Sequence, residues 1–464
     1  MTGLNLTRAA TITEPLNMSR IQANYYLSNK RFNIVPAGRR SGKTAIAKRR
    51  LVRKALTWYG MHNARFIAAC PVTHQAKKIY WRDLKLLVPK FAVVPNGISE
   101  GELTIELKNG AIIQVMGLDV PERVEGPPIA HLLFDEYANM KEEVWTDHAR
   151  PTLTDTQGTA DFIGVPEGRN HYYKMWVSAL NDQMGVWGAY TWHTADILPL
   201  YLGEELAAEE LRQAREDMDI LTYRQEYEAD FNNFEGRVYY PFNRTTHATE
   251  RLHYDPNVPL VFSFDFNVSP GVAVICQDQR YKGEDPNVAG TFTAVIGEVW
   301  IPRDSNTPAV CRKLIADWGE NGKIAKHKGE IFVYGDATGG AKTTQSVAGS
   351  DWDLIRDMLR REWGDKVRFR NKRGNPYERV RVNALNTRIE NASGVKRLLV
   401  DPVKASHVVD DLESVCIKEG TNGEIDKDAD DDLTHISDAL GYFVEAKHPL
   451  KSVNRMESST IYAA

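Results

Sequence analysis

Short apolar runs alternate with longer mixed segments from about Arg31 to Asp196. The segments between the runs, of which TAIAKRRLVRKALTWYG is one, space their apolar residues as a helix does, and this helix is expected to end at Gly60. The alternation predicts a mostly parallel sheet covered by helices. The apolar runs, each typical of a buried strand, are RFNIVPA, RFIAACP, AIIQVMG, IAHLLFDE, ADFIGVP and AYTWHTAD.

A second series of strands begins near Pro259, after the charged helical segment GEELAAEELRQAREDMDILTYRQEYEADF. Its apolar runs are LVFSFDF, GVAVICQD, TFTAVIGEVWI, EIFVYGDA, VRFR and RLLVDP, with helices among them. The pattern predicts an α/β protein with a first sheet domain at residues 1–199 and a helical connector or lid at 200–250. A second sheet domain is expected at 251–449 and a flexible tail at 450–464.

Length and composition agree with this division and exclude some classes of protein. A chain of 464 residues is expected to form two or three domains, because single cores rarely grow beyond about 250 residues. We expect neither membrane insertion nor secretion, because the chain lacks a long apolar stretch and its start, MTGLNLTRAATITEP, lacks an apolar core. A net charge of −4 argues against a uniformly basic nucleic-acid coat but permits a basic groove.

The stretch FNIVPAGRRSGKTAIAKRR is typical of a phosphate-binding loop between a strand and a helix. In such a loop backbone N–H groups cradle the phosphates, Lys43 would reach the β- and γ-phosphates, and Thr44 would hold Mg²⁺. Ala37 stands where the motif has its first Gly, but Gly38 can still supply unusual backbone angles. A chance match is the alternative, and the strand-loop-helix context argues against it. The predicted ATP-binding residues of the loop are Gly38, Arg39, Arg40, Ser41, Gly42, Lys43 and Thr44.

The stretch HLLFDEYANM supplies the acids that a phosphate loop needs. Asp135 at the end of an apolar strand would support Mg²⁺ and bind ATP through it, and Glu136 would act as the catalytic base that polarises the attacking water. A solvated strand end is the alternative for the pair. Gln22, in MSRIQANYYL, could read an adenine edge through its amide, although a surface glutamine on a helix is an equal alternative.

Arginines in the loop are candidates for stabilising charge on the γ-phosphoryl group during transfer. Arg39 and Arg40 are favoured for a role within the same subunit, and Arg39 is the predicted catalytic arginine. Arg150, in HARPTLTD, is a second candidate that would reach a neighbouring subunit's nucleotide in a ring. For each of the three, pairing with a nearby acid is the alternative.

Three aspartates in the second half of the chain form a different constellation. Asp265 lies in an apolar strand, Asp336 ends another, and Asp438 lies on the predicted helix DDLTHISDALGYFVEA. Carboxylates converging from these elements would bind paired Mg²⁺ or Mn²⁺ ions, the arrangement that cuts phosphodiesters by in-line attack of water. A strand-end cap or salt bridge is the alternative for each. Asp432 and His435 could join the outer shell, or the neighbouring acidic run could be only solvated.

The segment RFRNKRGNPYERVR, Arg368 to Arg381, is the most basic stretch outside these motifs and also contains an aromatic residue. Grooves that follow a nucleic-acid backbone use such mixtures, whereas a solvated charged face is the more common explanation. The predicted DNA-binding residues are Arg370, Lys372 and Arg373.

Taken in order along the chain, these features resemble the large terminase subunit of tailed double-stranded DNA bacteriophages. The resemblance extends roughly from Gln22 to Lys447, and its specificity lies in the order of the two domains. It implies a P-loop ATPase domain with an adenine-reading Gln22, followed by a ribonuclease H-like nuclease domain with Asp265, Asp336 and Asp438. The segment FIGVPEGRNHYY matches the family motif thought to couple hydrolysis to DNA movement.

The same resemblance implies the function and the partners. The protein would hydrolyse ATP to move double-stranded DNA into a procapsid and would cut the DNA by a two-metal mechanism, with Mg²⁺ as the metal and Mn²⁺ accepted. Its partners would be DNA, a small terminase subunit and the portal protein, and it would work as a homo-oligomeric ring in the cytoplasm of the infected bacterial host, without a membrane. The alternatives are a helicase-nuclease of DNA repair or recombination, and a non-enzymatic, ATP-bound assembly scaffold.

Overall fold

The computed structural model describes residues 17–168, 170–231, 236–266, 270–319, 327–337, 350–418, 421, 423–427, 430 and 432–450. Within these ranges the chain forms two compact units, which meet along the chain at residues 211/212, 223/224 and 233/234. The predicted connector, residues 200–250, is therefore shared between the units. The predicted tail lies outside the described residues from residue 451 onward.

The first unit contains an eight-stranded sheet in the order β3-β4-β5-β2-β6-β7-β1-β8. All neighbours from β5 to β8 are parallel, whereas β3, β4 and β5 pair antiparallel at one edge. The strand β7 lies between β1, which precedes the phosphate loop, and β6, which ends in Asp135. The strands are β1 (Phe32–Pro36), β2 (Arg65–Cys70), β3 (Val93–Ser99), β4 (Thr104–Leu107), β5 (Ile112–Gly117), β6 (Ile129–Asp135), β7 (Thr159–Gly164) and β8 (Trp187–Ala189).

Helices cover this sheet, and two more carry the chain toward the second unit. The longer helices are Arg20–Leu27, Lys43–Leu56 and His171–Leu180, and those that cross the boundary are Glu204–Asp217 and Ile220–Glu228. Shorter helical segments are Thr73–Ala76, Lys77–Trp81, Arg82–Leu87, Lys90–Ala92, Pro121–Val124, Tyr137–Asn139, Val144–Ala149, Arg150–Thr152, Thr194–Ile197 and Pro199–Leu202.

Two local predictions for this unit were wrong, and two edge strands were not predicted. The strand predicted for residues 189–196 is confined to β8, because a cap in which His193 N donates to Asp196 Oδ2 (3.1 Å) starts a short helix at Thr194. The first long helix ends at Leu56 rather than Gly60, and the Thr57 hydroxyl there donates to the carbonyl of Arg53. The edge strands β3 and β4 were missed, because their exposed positions break up the apolar pattern.

A buried polar network joins the helix that follows the loop to the centre of the sheet. Asp161 on β7 accepts hydrogen bonds from Arg50 Nε (2.7 Å), Asn33 Nδ2 (2.7 Å) and Tyr25 OH (3.1 Å). The Arg50 and Asp161 side chains are fully buried. Burial alone would raise the pKa of Asp161, but the charge of Arg50 lowers that pKa to about 2. The network therefore holds two opposite charges in the core, and each is the partner that the other needs to be buried.

Asp161→Ala is expected to lower the free energy of unfolding of the first unit by about 3–5 kcal/mol, because it leaves the Arg50 guanidinium buried without its partner. Chemical denaturation measures the loss. The matched control is Asp119→Ala, which removes the partner of Arg123 from an exposed pair and should cost less than about 1 kcal/mol. Equal losses in the two variants would contradict the role given to the buried pair.

The second unit contains a six-stranded sheet in the order β13-β12-β9-β10-β11-β14. The central strand β10 is antiparallel to β9 and to β11. The other neighbouring pairs are parallel, namely β12 with β9, β12 with β13, and β14 with β11. Because β9 and β12 are parallel neighbours, their carboxyl ends lie side by side. The strands are β9 (Leu260–Asp265), β10 (Gly271–Arg280), β11 (Val288–Ile301), β12 (Ile331–Gly335), β13 (Val367–Phe369) and β14 (Lys396–Val400).

Two apolar cores in this unit join the sheet to its helices, one of them including the last described helix. No helix in the described part of the chain is long and apolar enough to cross a membrane. The helices are Arg244–His247, Thr307–Trp318, Asp351–Trp363, Gly364–Lys366, Glu378–Ile389, Ser406–Ser414 and His435–Lys447.

Candidate functional site

Hydrogen bonds from a neighbouring segment hold the loop that follows β1. Trp192 Nε1 donates to the carbonyl of Ser41 (3.0 Å) and to its hydroxyl (2.9 Å), and that hydroxyl donates to the carbonyl of Gly38 (2.5 Å). The hydroxyl of Thr194 donates to the carbonyl of Arg39 (2.7 Å). The sequence pattern did not indicate Trp192 or Thr194, yet these side chains keep the loop in one shape.

The backbone of the loop is closely packed at one glycine and left-handed at two other residues. A Cβ added at Gly38 would lie 2.4 Å from Thr194 Oγ1 and 2.6 Å from the carbonyl oxygen of Tyr227, so only glycine fits there. Gly42 precedes the helix with φ 76° and ψ 4°, and Arg40 also has a left-handed φ of 60°. Left-handed residues in a turn before a helix aim backbone N–H groups into an anion-binding concavity.

Gln22 lies beside this loop, and each polar atom of its amide makes a hydrogen bond within the protein. Its Nε2 donates to the carbonyl of Ser41 (2.8 Å), and its Oε1 accepts from the backbone N–H of Ser19 (2.9 Å) in a helix cap. The side chain is 0% exposed. In this structure Gln22 braces the loop through one of its two amide N–H groups, and its role in reading adenine stays a prediction.

Asp135 lies next to the hydroxyl of Thr44. Its Oδ2 accepts from Thr44 Oγ1 (3.1 Å) and from the hydroxyl of Tyr80 (2.7 Å), and its Oδ1 accepts from the backbone N–H of Glu136 (3.0 Å). A hydroxyl and a carboxylate in contact are the hard oxygen donors that Mg²⁺ prefers, so these residues fit a magnesium ion. Tyr80 orients the carboxylate and was not identified from the sequence.

Glu136 has an unusual backbone and an electrostatic environment that suits a base. Its φ of 55° is left-handed, which is costly for a residue with a side chain and often marks functional positions. Burial raises the pKa of its carboxyl group, Lys43 lowers it, and Asp135 raises it further. A Cβ added at Gly164, the last residue of β7, would lie 3.4 Å from Glu136 Cα. The predicted coupling motif thus begins against the predicted base.

The candidate arginines differ in their surroundings. Arg39 pairs with Glu226, and although burial lowers the pKa of Arg39, the carboxylates of Glu226 and Glu136 leave it raised. The Arg150 guanidinium instead lies 5.2 Å from the ring centroid of Phe32, at the start of β1. The phosphate loop follows the other end of β1, so the Arg150 guanidinium lies at the end of β1 opposite the loop.

The three predicted nuclease acids share one neighbourhood in the second unit. Asp265 is the last residue of β9, Asp336 follows β12, and Asp438 lies in the first turn of the last described helix. Burial raises the pKa of the Tyr442 hydroxyl, Arg381 opposes this rise, and all three carboxylates add to it. Tyr442 is therefore within electrostatic reach of all three acids.

The acids do not form the tight cluster that the sequence predicted. No three His, Cys, Asp or Glu side chains among the described residues lie close enough together to hold a metal ion. Asp438 Oδ1 accepts from Arg381 Nη2 (2.5 Å), and Asp265 Oδ2 lies 3.4 Å from His435 Nδ1. Burial, together with the charge of Asp265, raises the pKa of Asp438 to about 6 against the lowering effect of Arg381. The three carboxylates fit Mg²⁺ or Mn²⁺ by donor chemistry, although Asp438 is already paired.

Asn375 was missed by the sequence analysis and contacts one of these acids. Its Nδ2 donates to Asp336 Oδ1 (2.7 Å), and its Oδ1 accepts from the backbone N–H of Ala337 (2.8 Å). The two bonds hold the carboxylate and the chain after it in one orientation. An asparagine in a polar loop carries no sequence signal of such a contact.

The basic segment that contains Asn375 is partly neutralised within the unit. Lys372 Nζ donates to both carboxylate oxygens of Glu445 (2.7 and 2.6 Å). Arg370 and Arg373 are exposed, and the Arg370 guanidinium lies 5.5 Å from the ring centroid of Phe332. Of the three predicted DNA contacts, Lys372 is thus already engaged by an acid in this structure.

Comparisons with known proteins match part of this chain to large terminase subunits. Residues 34–246 match the family model described as terminase large subunit, T4likevirus-type, N-terminal. The large terminase subunit of Escherichia phage T5 is 26% identical over 223 residues, 47% of this chain and 48% of that protein, so the alignment spans about half the length of this relative.

Solved structures of the large terminase from a thermophilic bacteriophage are similar in fold. One covers 93% of this chain and 99% of that chain at 16% identity with a TM-score of 0.54, and its complex with ATP-gamma-S has the same coverage and identity with a TM-score of 0.53. The predicted resemblance to large terminase subunits and the α/β fold with a mostly parallel first sheet are confirmed.

Proposed function

We propose, on the basis of this resemblance, that the protein is a large terminase subunit of a tailed bacteriophage. Its first unit hydrolyses ATP to move double-stranded DNA into a procapsid, and its second unit cuts that DNA with divalent metal ions. The observation that carries the proposal is the arrangement of Thr44, Asp135 and Glu136 at the end of a strand beside the phosphate loop.

The ATPase step follows from the chemistry of the loop residues. Lys43 and the backbone N–H groups of the loop bind the phosphates. Glu136 accepts a proton from water as the water oxygen bonds to the γ-phosphorus and the bond to the bridging oxygen of ADP breaks. A magnesium ion held by Thr44 and Asp135 would neutralise charge on the phosphates. Arg39, which Glu226 holds near Glu136, stabilises the γ-phosphoryl group.

The nuclease step is assigned to the second unit. Asp265, Asp336 and Asp438 would hold Mg²⁺ or Mn²⁺, which in a pair activates a water and stabilises both the attacking and the leaving oxygen of a phosphodiester. Support comes from the adjacent carboxyl ends of β9 and β12 and from the electrostatic reach of all three acids to Tyr442. Asn375 holds Asp336 in position from the basic segment, whose exposed Arg370 and Arg373 contact the DNA backbone.

The proposal includes the partners that a packaging motor requires. The large terminase of the thermophilic bacteriophage has been solved with ATP-gamma-S, and by analogy ATP is the nucleotide here. The protein works as a ring of identical subunits with double-stranded DNA, a small terminase subunit and the portal protein, in the cytoplasm of the infected host. Arg150, whose guanidinium lies at the end of β1 opposite its own loop, is the residue we assign to a neighbouring subunit's nucleotide.

An assay of the purified protein with plasmid and Mn²⁺, with and without ATP, tests both activities at once. We expect phosphate release that depends on ATP, and nicking or cutting of the plasmid that depends on Mn²⁺ and proceeds without ATP. An ATP-bound scaffold would show neither turnover nor cutting. A repair helicase-nuclease would unwind a labelled duplex in a strand-displacement assay, whereas a packaging motor should leave the two strands paired.

Glu136→Gln is expected to bind ATP and hydrolyse it about 10²–10⁴ times more slowly, because the amide keeps the shape of the side chain but cannot accept the proton. Phosphate release measures the rate of ATP hydrolysis, and a nucleotide-binding measurement checks that the variant still binds ATP. Glu142→Gln, which changes an exposed acid a few positions further along the chain, serves as the matched variant. Turnover near that of the wild type in Glu136→Gln would show that the base lies elsewhere.

A further inference from the structure

A positively charged side chain forms an ion pair with one of the carboxylates that a metal ion would need. Arg381, on helix Glu378–Ile389, donates through Nη2 to Asp438 Oδ1 (2.5 Å), and its guanidinium lies 4.7 Å from the ring centroid of Tyr442. Asp438, Gly441 and Tyr442 are spaced so that they lie on one face of helix His435–Lys447. Arg381 therefore packs against three neighbouring residues of one helix.

Gly441 makes room for the stem of this arginine. A Cβ at Gly441 would lie 2.8 Å from Arg381 Cγ and 3.0 Å from its Cδ, so the close approach of the two helices depends on glycine. Arg381 is 5% exposed and Asp438 is 8% exposed. The guanidinium is thus built into the unit and is not a surface side chain that happens to reach an acid.

The contact satisfies Asp438 but leaves Arg381 incompletely bonded. Its Nε is buried and has no hydrogen-bond partner in the described part of the chain. A buried donor without a hydrogen-bond partner costs free energy, and Arg381 keeps its position despite this cost. Asp438 is already under the influence of Asp265, and the positive charge of Arg381 offsets the repulsion between these carboxylates.

We propose that Arg381 competes with a divalent metal ion for Asp438 and so sets the metal concentration at which the second unit can cut DNA. The inference rests on the proposed nuclease function. A guanidinium in contact with Asp438 repels a divalent cation that would bind the same carboxylate group. Metal binding is therefore opposed for as long as Arg381 stays on Asp438, and the ion must be abundant enough to overcome that opposition.

Mn²⁺ binding to the full chain, measured by isothermal titration calorimetry without DNA or ATP, tests this competition. Arg381→Gln is expected to bind Mn²⁺ at least about tenfold more tightly than the wild type, because a unit positive charge beside a partly buried site is worth at least that factor. Arg381→Lys restores the charge and should return the affinity toward that of the wild type. The Mn²⁺ concentration for half-maximal plasmid cutting should fall with the binding constant.

Two further variants separate the possible failures. Arg388→Gln removes another mostly buried arginine from the same helix, one that donates to Thr293 away from the three acids, and should leave Mn²⁺ affinity unchanged. Asp265→Asn should weaken Mn²⁺ binding. If it does not, the metal site itself is misassigned and both proposals are wrong.

If Asp265→Asn weakens binding while Arg381→Gln binds as the wild type does or more weakly, the nuclease proposal survives and the competition is wrong. Where Arg381→Gln does not fold, Arg381→Lys decides the question. Its shorter ammonium cannot keep the two-sided contact with Asp438 and Tyr442, so the lysine variant should bind Mn²⁺ slightly more tightly than the wild type. A lower affinity would overturn the proposal.

Discussion

Lys43→Ala is expected to abolish ATP turnover and to leave Mn²⁺-dependent DNA cutting largely intact. Lys43 is buried at the first position of the helix after the loop, and its charge acts on Glu136. In such a loop the ammonium group contacts the β- and γ-phosphates. The three nuclease acids belong to the other unit. Phosphate release and plasmid cutting, measured on the same preparation, report the two activities separately.

Arg53→Ala is the matched control for Lys43→Ala. It removes a cation from the same helix, where Arg53 Nη2 donates to the carbonyl of Tyr26 rather than facing the loop. This variant should keep ATP turnover. Loss of both activities in a well-folded Lys43→Ala protein would contradict the separation of the two sites.

Replacing Asp265, Asp336 or Asp438 singly by Asn is expected to remove DNA cutting almost completely while ATP turnover survives. In the proposed mechanism, each change removes a metal ligand on which both the attacking and the leaving oxygen depend. Combining two of the changes should add little, because residues that act as one unit are not additive. Plasmid cutting across a range of Mn²⁺ concentrations measures the loss, and excess metal should not restore activity.

Asp410→Asn is the control for this series, since Asp410 is an exposed acid of the same unit that pairs with Arg244. It should cut as the wild type does. Asp432 provides the sharpest contrary outcome. If Asp438→Asn still cuts and Asp432→Asn does not, the helix acid has been misassigned, and the pairing of Asp438 with Arg381 is purely structural.

Much of the fold could be predicted because local pattern carries it. Apolar runs such as LVFSFDF and IAHLLFDE became β9 and β6, since strands buried on both faces must be apolar throughout. The phosphate loop was recognisable for the same reason. Its glycines and its Lys-Thr pair are adjacent in sequence, so the turn and the helix start that they require are local events. The strand predicted at residues 189–196 failed where a local cap competed with the apolar pattern.

Contacts between residues distant in sequence were decided only by the tertiary structure. Trp192 meets Ser41 across 151 positions, and Arg381 meets Asp438 across 57, and neither pair shares a motif. Packing also turned the amide of Gln22 to the carbonyl of Ser41, a contact that the sequence did not indicate.

The sequence by itself determined which residue types were present for phosphate and metal chemistry and which elements carried them. The tertiary structure decided which of those groups were already paired. It placed Arg381 on Asp438, Asn375 on Asp336 and Glu445 on Lys372. The physical reason is that a buried or half-buried carboxylate must find a partner, and that partner is chosen by the packing of helices and strands rather than by neighbours along the chain.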